Sequence, residues 1–352
     1  MNRIFATLIL GTSLACTLTA SAEQGFDEVG QKLPADAVVT YPDSNPLREA
    51  LRPVPATAVF GMEGWSLWDP SLIKVGDTYH LFCSRWPKTD DHSFDSGWKR
   101  SHVIRATSKN LFGPYEFQEV VLHPKDHPWA TNGVHNPKIT RVGDRFLLYH
   151  LGIPRWSTGF AYADSIEGPW TLRPEPVVKA NNPALIAHDD GSVYMVSKHK
   201  PKPTKDGKWD ACLKAHVADH IDGPYRTLGK GRNRLPYNLE LEDPTLWWAN
   251  EQYNLVCTDW EGKVTGTQKS VVYYTSKDGI DYELFSKLPV WTQDEPIVLE
   301  DGTHLNASRI ERPQVYINDD GEFAALLVAV GIEERSHDYI VIRPVDHFVP
   351  EN

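Results

Sequence analysis

Apolar positions along this chain come in short alternating runs parted by polar turns, and one unit recurs: a polar residue and a proline, an apolar strand, a turn, and a second strand. Five copies align: WDPSLIKVGDTYHLFCS from Trp68, HNPKITRVGDRFLLYHLG from His135, NNPALIAHDDGSVYMVSK from Asn181, EDPTLWWANEQYNLVCTDW from Glu242 and ERPQVYINDDGEFAALLVAV from Glu311. In each, Gly-Asp, Asp-Asp-Gly or Ala-Asn-Glu stands between two apolar runs, which predicts a β-hairpin. The prolines recur at intervals of roughly 45 to 70 residues, the size of one four-stranded propeller blade with its loops. A second phrase falls in the latter half of the units: ATSKNLFGPYEF, YADSIEGPWTL and VADHIDGPYRTL, with TSKDGIDYELF as a weaker copy. It predicts outer strands, because a proline entering an edge strand removes no needed ladder bond.

The pattern predicts an all-β fold, a single five-bladed β-propeller over residues 56–352, with inner strands beginning near Asp69, Asn136, Asn182, Asp243 and Arg312 around one axis. Segments near 57–60 and 339–342 are expected to close the ring in one blade, since closure removes an exposed sheet edge. Residues 23–55, rich in Pro, Ala and Asp and lacking alternation, read as an extended N-terminal arm.

Residues 1–22 read as a signal peptide: basic at Arg3, apolar from Ile4 to Ala20, then Ala20-Ser21-Ala22 for cleavage. Export to the periplasm or the medium is expected over a lipid anchor, for Ser13-Leu14-Ala15-Cys16 is a poor lipid-attachment site. Cys83, Cys212 and Cys257 remain after cleavage, an odd number without CxxC spacing, and read as buried thiols. The net charge of −11, with no basic block, argues against nucleic acid and anionic membrane surfaces as partners. No second apolar stretch is long enough to insert in a membrane. Twelve Trp, fourteen Tyr and twelve Phe suit a protein that stacks flat ligands such as carbohydrate.

The five units resemble the five-bladed propeller glycosidases, glycoside hydrolase family 43 above all and family 117 more distantly, over about Trp65 to Val345. The DP motif of family 43 that carries the general base is matched by Asp69 in WDPSLIKVGDTYHLF. Its later EGP motif, whose Glu is the general acid, is matched twice, by Glu242 in EDPTLWW and by Glu311 in ERPQVYI. The blade-three DP motif is not kept: Asn182 stands where that family has the Asp that sets the acid's pKa, and Asp243 is the residue that could replace its charge. The family 117 pattern of an Asp base, a later Asp, a His acid and a downstream Glu is met by Asp69, Asp243, His304 and Glu311.

The resemblance implies an inverting, exo-acting hydrolase that releases a sugar unit from a plant or algal oligo- or polysaccharide. Such chemistry needs an acid for the leaving oxygen and a carboxylate on the opposite ring face, about 5 to 9.5 Å apart. The propeller axis is where carboxylates remote in sequence can meet, although alternation along a strand leaves open whether both Glu242 and Asp243 face it. With Asp69 on blade one, a wide gap favours Glu242 as the acid and a tight pocket Glu311 or His304. Exchange of Asp69 for Asn is expected to stop turnover with little change in melting temperature.

Trp68, His135, Asn136, Asn182, Trp156, Arg155, Trp260 and Arg312 are the candidates for sugar contact, as platforms or hydrogen-bonding groups. The insertion at residues 90–102 is either an exposed loop or a lip over the site. His92 and His102 fit no metal-ligand spacing, so no metal site is expected and no cofactor is required, while the meeting of inner strands at one axis admits a structural cation. Two other functions share the fold: a glycan phosphorylase, whose EDP phrase is followed by Arg for phosphate where this chain has Thr245, and a binding protein without catalysis.

Overall fold

The computed structural model describes residues 40–88, 97–198, 213–228, 240–332 and 337–350. The expected signal peptide, the arm before residue 40, His92 and Cys212 lie outside the described residues. Five four-stranded antiparallel sheets form the blades of a propeller, joined by a small two-stranded sheet of Ile297–Val298 and His304–Leu305. The inner strands are Trp65–Val75, Gly133–Val142, Asn181–Ala187, Leu241–Ala249 and Ala307–Ile317. They touch in ring order, the last against the first.

Blade five closes the ring. Its inner strand pairs with Phe323–Ile332, then His337–Pro344, and outermost with Val59–Phe60 from the other end of the chain, in the register Val59 to Val341 and Phe60 to Ile340. The described part of the arm packs beside this seam. Asn45 caps the short helix Pro46–Ala50, Leu47 and Val54 are buried, and the Arg52 and Val54 amides donate to the Pro344 and Val298 carbonyls. Three outer strands follow a cis Gly-Pro step, at Gly113-Pro114, Gly168-Pro169 and Gly223-Pro224, with each glycine at positive φ. The apolar clusters lie between facing blades, and Cys83 and Cys257 are buried free thiols within them.

Every inner strand carries the same irregularity. The ladder slips between Trp68 and Ser71, His135 and Lys138, Asn181 and Ala184, Glu242 and Thr245, and Glu311 and Gln314. At each slip the residue before the proline is left-handed, with φ of 56° at Asp69, 50° at Asn136, 44° at Asn182, 56° at Asp243 and 60° at Arg312. Proline has no N–H for the ladder and bars its predecessor from the right-handed helical region, so the strand bulges there. Asp and Asn tolerate this conformation, whereas Arg312 holds it against a cost of about 1–3 kcal/mol. The bulge also breaks the alternation of side chains, so two consecutive residues of one strand can both turn inward.

Close packing fixes blade two. A Cβ on Gly152 would lie 2.2 Å from the Trp129 ring and 2.7 Å from the Ala130 Cβ, with both neighbours buried. Gly152→Ala is therefore expected to lose about 1–3 kcal/mol in urea unfolding; an unchanged midpoint would show that the 129–133 segment yields freely.

Candidate active site

The five bulges set Asp69, Asn136, Asn182, Asp243 and Arg312 at the axis, and hydrogen bonds tie most of them together. Asp69 is 1% exposed. Its Oδ2 accepts from the Ser84 hydroxyl at 2.6 Å and the Asn136 amide N–H at 3.1 Å, and lies 3.0 Å from His135 Nε2. Its Oδ1 faces Arg312 Nε at 3.0 Å. The Ser101 hydroxyl, which donates to the Val134 carbonyl, meets His135 Nδ1 at 2.9 Å and so orients the ring. Burial alone would raise the Asp69 carboxyl; the His135 and Arg312 charges and the Ser84 hydroxyl outweigh it and hold the group well below the usual carboxylate range.

Arg312 bridges Asp69 to Asp243 through a second guanidinium nitrogen. Asp243 also accepts from Asn182 Nδ2 at 2.6 Å and from the Thr258 hydroxyl at 3.3 Å. Lys138, next to the blade-two proline, is buried on the same axis. Its ammonium donates to the Pro244 carbonyl at 2.6 Å and Thr245 Oγ1 at 3.1 Å, and burial pulls its pKa down to about 7 against the raising influence of Asp243 and Asp69. The Thr245 hydroxyl donates in turn to the Pro313 carbonyl and accepts from Gln314 Nε2.

Glu311 precedes Arg312 and is likewise 1% exposed. Arg309 Nε lies 3.1 Å and Lys269 Nζ 3.9 Å from its Oε1. Burial nevertheless pushes its carboxyl up to about 7, with Arg309, Arg312 and Lys269 opposing and Asp243 assisting. Glu242 is buried and ion-paired with Lys198, which also reaches Glu240 at 3.7 Å. Both members of the Glu242-Asp243 pair thus turn inward, and the bulge between them is the reason.

Aromatic rings line the surroundings. Trp98 packs against His135 with centroids 5.0 Å apart and meets Trp156 edge-on at 5.7 Å; Trp156 is 39% exposed. Trp260, half-buried, lies under Lys269 at 4.8 Å and Arg309 at 5.9 Å.

Of the residues picked from the sequence, Asp69, His135, Asn136, Asn182, Asp243, Glu311 and Arg312 gather at the axis, with Glu242, Trp156 and Trp260 around them. Trp68 is core, 1% exposed. Arg155 points outward to an ion pair with Glu175. His304 is exposed on the Ile297–Val298 and His304–Leu305 hairpin and takes no part in the contacts of Asp69, Asp243 or Glu311. Sequence reading missed Ser84, Trp98, Lys138, Lys198 and Lys269. Of these only Lys138, directly after the blade-two proline, had a usable signal. Among the described residues no group of three or more His, Cys, Asp or Glu could hold a metal ion.

A family model described as "Glycosyl hydrolases family 43" matches residues 64–278. The chain is similar to "Xylosidase/arabinosidase 43A" of Humicola insolens, 28% identical over 53% of this chain and 60% of that protein. It is also similar to "Xylan 1,3-beta-xylosidase" of a Vibrio species, 31% identical over 37% of this chain and 24% of that protein. Each match spans less than two thirds of the relative's length. Among solved structures, a family 117 glycoside hydrolase from the marine bacterium Zobellia galactanivorans superposes with a TM-score of 0.58 at 14% identity, over 86% of this chain and 91% of that one. A family 43 enzyme from Xanthomonas citri gives 0.58 at 15% identity, over 86% and 93%. At such identities these two structures bear on the fold alone.

The raised Glu311 carboxyl has a consequence for stability. In the unfolded chain it titrates near its ordinary 4.5, in the folded protein near about 7. Its contribution is intact below the lower value and is lost as pH rises through the upper one, by about 3 kcal/mol in all. Glu311→Gln, which cannot ionise, is expected to gain stability relative to the native protein between pH 4.5 and 7.5 in denaturant titrations. A difference independent of pH would show that Glu311 is ionised throughout.

Proposed function

Because the chain belongs to glycosyl hydrolases family 43, we propose that it is an inverting glycosidase, with Asp69 as general base and Glu311 as general acid. The observation that carries this reading is a pair of carboxyls buried at one axis and pushed in opposite directions, Asp69 far down and Glu311 up to about 7. That separation is what assigns base and acid in a two-carboxylate hydrolysis. Three donors engage Asp69 Oδ2, leaving Oδ1, faced by Arg312, as the oxygen for the attacking water. The water loses a proton to Asp69 as its oxygen bonds to the anomeric carbon; the glycosidic bond breaks, and the leaving oxygen takes the proton of Glu311. Glu242, on blade four, within the matched residues and ion-paired with Lys198, is the second candidate acid.

The substrate is a glycan presenting xylose or arabinose, the sugars in the names of its relatives. Release of a terminal unit fits the depth of the site, where both carboxyls lie almost out of reach of solvent. Trp98, Trp156 and Trp260 offer stacking faces, and the buried side-chain Nδ2 of Asn136, which has no protein acceptor, is placed to donate to a sugar hydroxyl. No cofactor is required, and the ammonium of Lys138 serves as the axial cation. The Thr245 hydroxyl is committed to Pro313, Lys138 and Gln314, and so does not replace the phosphate-binding Arg of a phosphorylase. Residues 1–22 would direct the protein out of the cytoplasm.

Turnover should fall as pH rises through about 7, where Glu311 loses its proton, and should hold on the acid side to well below the usual carboxylate range. Glu311→Gln removes the basic limb; its persistence there and loss in Glu242→Gln would move the acid to Glu242. Asp69→Asn is expected to lower kcat roughly 10²–10⁴-fold. Contrary to the expectation from sequence, it should also cost about 3 kcal/mol, because His135 and Arg312 lose the carboxylate they share. Full turnover well below its melting point would remove Asp69 from the mechanism. NMR of the first product should show the inverted anomer, and a retained one would overturn the single-displacement scheme.

A further inference from the structure

Asp259 ends the second strand of blade four, is wholly buried, and is absorbed by no step of the hydrolysis. Its carboxylate accepts four hydrogen bonds from the loop that follows: Lys263 N–H at 3.1 Å on Oδ1, and Val264 N–H at 3.0 Å, Thr265 N–H at 3.0 Å and Thr265 hydroxyl at 3.1 Å on Oδ2. The loop closes on the same residue, because Lys269 N–H donates to the Asp259 carbonyl at 2.8 Å. Residues 260–269 are thus wound around one side chain. Lys269 is held left-handed there, at φ 55°, a conformation a lysine keeps only when its surroundings impose it.

The two ends of this loop are Trp260 and Lys269, and the Lys269 end stands at the candidate acid. Lys269 Nζ lies 3.9 Å from Glu311 Oε1 and 4.8 Å over the Trp260 ring. We propose that Asp259 is a positioning residue which, through the loop it winds, fixes the Lys269 ammonium beside Glu311 and so sets how firmly Glu311 holds its proton. This rests on Glu311 as the acid. The charged groups facing Glu311 are Arg309 and Arg312 from its own strand, Asp243 from blade four and Lys269 from the loop. Lys269 alone is placed there by a loop. An ammonium at that distance favours the carboxylate, so moving it away raises the Glu311 pKa and extends activity toward higher pH.

The pH profile of kcat/KM tests this in four full-length proteins: native, Lys269→Met, Asp259→Asn and the double variant. In Asp259→Asn one acceptor oxygen becomes an NH₂ that meets a backbone N–H donor, so the loop is loosened with little change in volume. Lys269→Met is expected to move the basic limb up by about one pH unit. Asp259→Asn should move it the same way, and the double variant no further than either single one, since both act through one ammonium. A lower melting temperature in Asp259→Asn with an unmoved basic limb overturns the proposal and leaves Asp259 as loop scaffolding. Additive shifts overturn it too. A Glu311→Gln protein that keeps the basic limb fails the acid assignment itself, and with it this proposal, so the two failures are told apart by that one variant.

Discussion

Arg312 lies between two buried carboxylates, Asp69 of blade one and Asp243 of blade four, and blade five, which carries it, is the blade between them in the ring. Two negative charges facing one another in a poorly solvated axis would drive one of them to take a proton. The guanidinium is planar, fully charged at any working pH and offers separate donors to separate oxygens, so a single residue pairs with both acids and sets the spacing between their blades. The five left-handed positions carry Asp, Asn, Asn, Asp and Arg: two anions, two amides and one cation. Lys138 adds a second cation from blade two, reaching across the axis to Pro244 and Thr245. The charges that the proposed chemistry requires are therefore also what joins blades one, two, four and five.

The bulge is what lets so short a stretch serve both purposes. Regular alternation would send Glu242 and Asp243, or Glu311 and Arg312, to opposite faces of a strand. With the ladder slipped at the proline, Asp243 and Arg312 meet on the axis while Glu242 and Glu311 are buried beside it, against Lys198 and Arg309. The strain of a left-handed Arg312 is sustained by its two ion pairs, a case of backbone cost carried by the contacts it makes available.

Prolines made the fold and half of the site legible. A residue that cannot donate to a ladder leaves a mark in the sequence, and all five inner strands and the positions before Pro70, Pro137, Pro183, Pro244 and Pro313 carry it. The seam at Val59–Phe60 was visible too, as apolar segments at both ends in need of a partner. The cations were not. Lys198 and Lys269 are ordinary strand and loop residues until the packing of neighbouring blades brings them to Glu242 and Glu311. His304 misled in the opposite sense: seven residues from Glu311 along the chain, it is the exposed residue of a short hairpin that ends before the last inner strand begins.

Asn182 shows how substitutions at such an axis depend on one another. Read alone, it is the loss of an acidic residue from blade three. In the structure its Nδ2 donates to Asp243 Oδ1 at 2.6 Å, so the position faces a carboxylate supplied by the next blade. A carboxylate at 182 would bring oxygen against oxygen at that distance, and one of the two would have to be protonated near neutral pH. An amide there answers the charge instead of opposing it. The acid is not missing from this axis; it sits one blade further round, where Arg312 can reach it and Asp69 together, and where its charge helps Glu311 to hold a proton. The same move requires blade three to be neutral, so Asn182 and Asp243 are two parts of one arrangement.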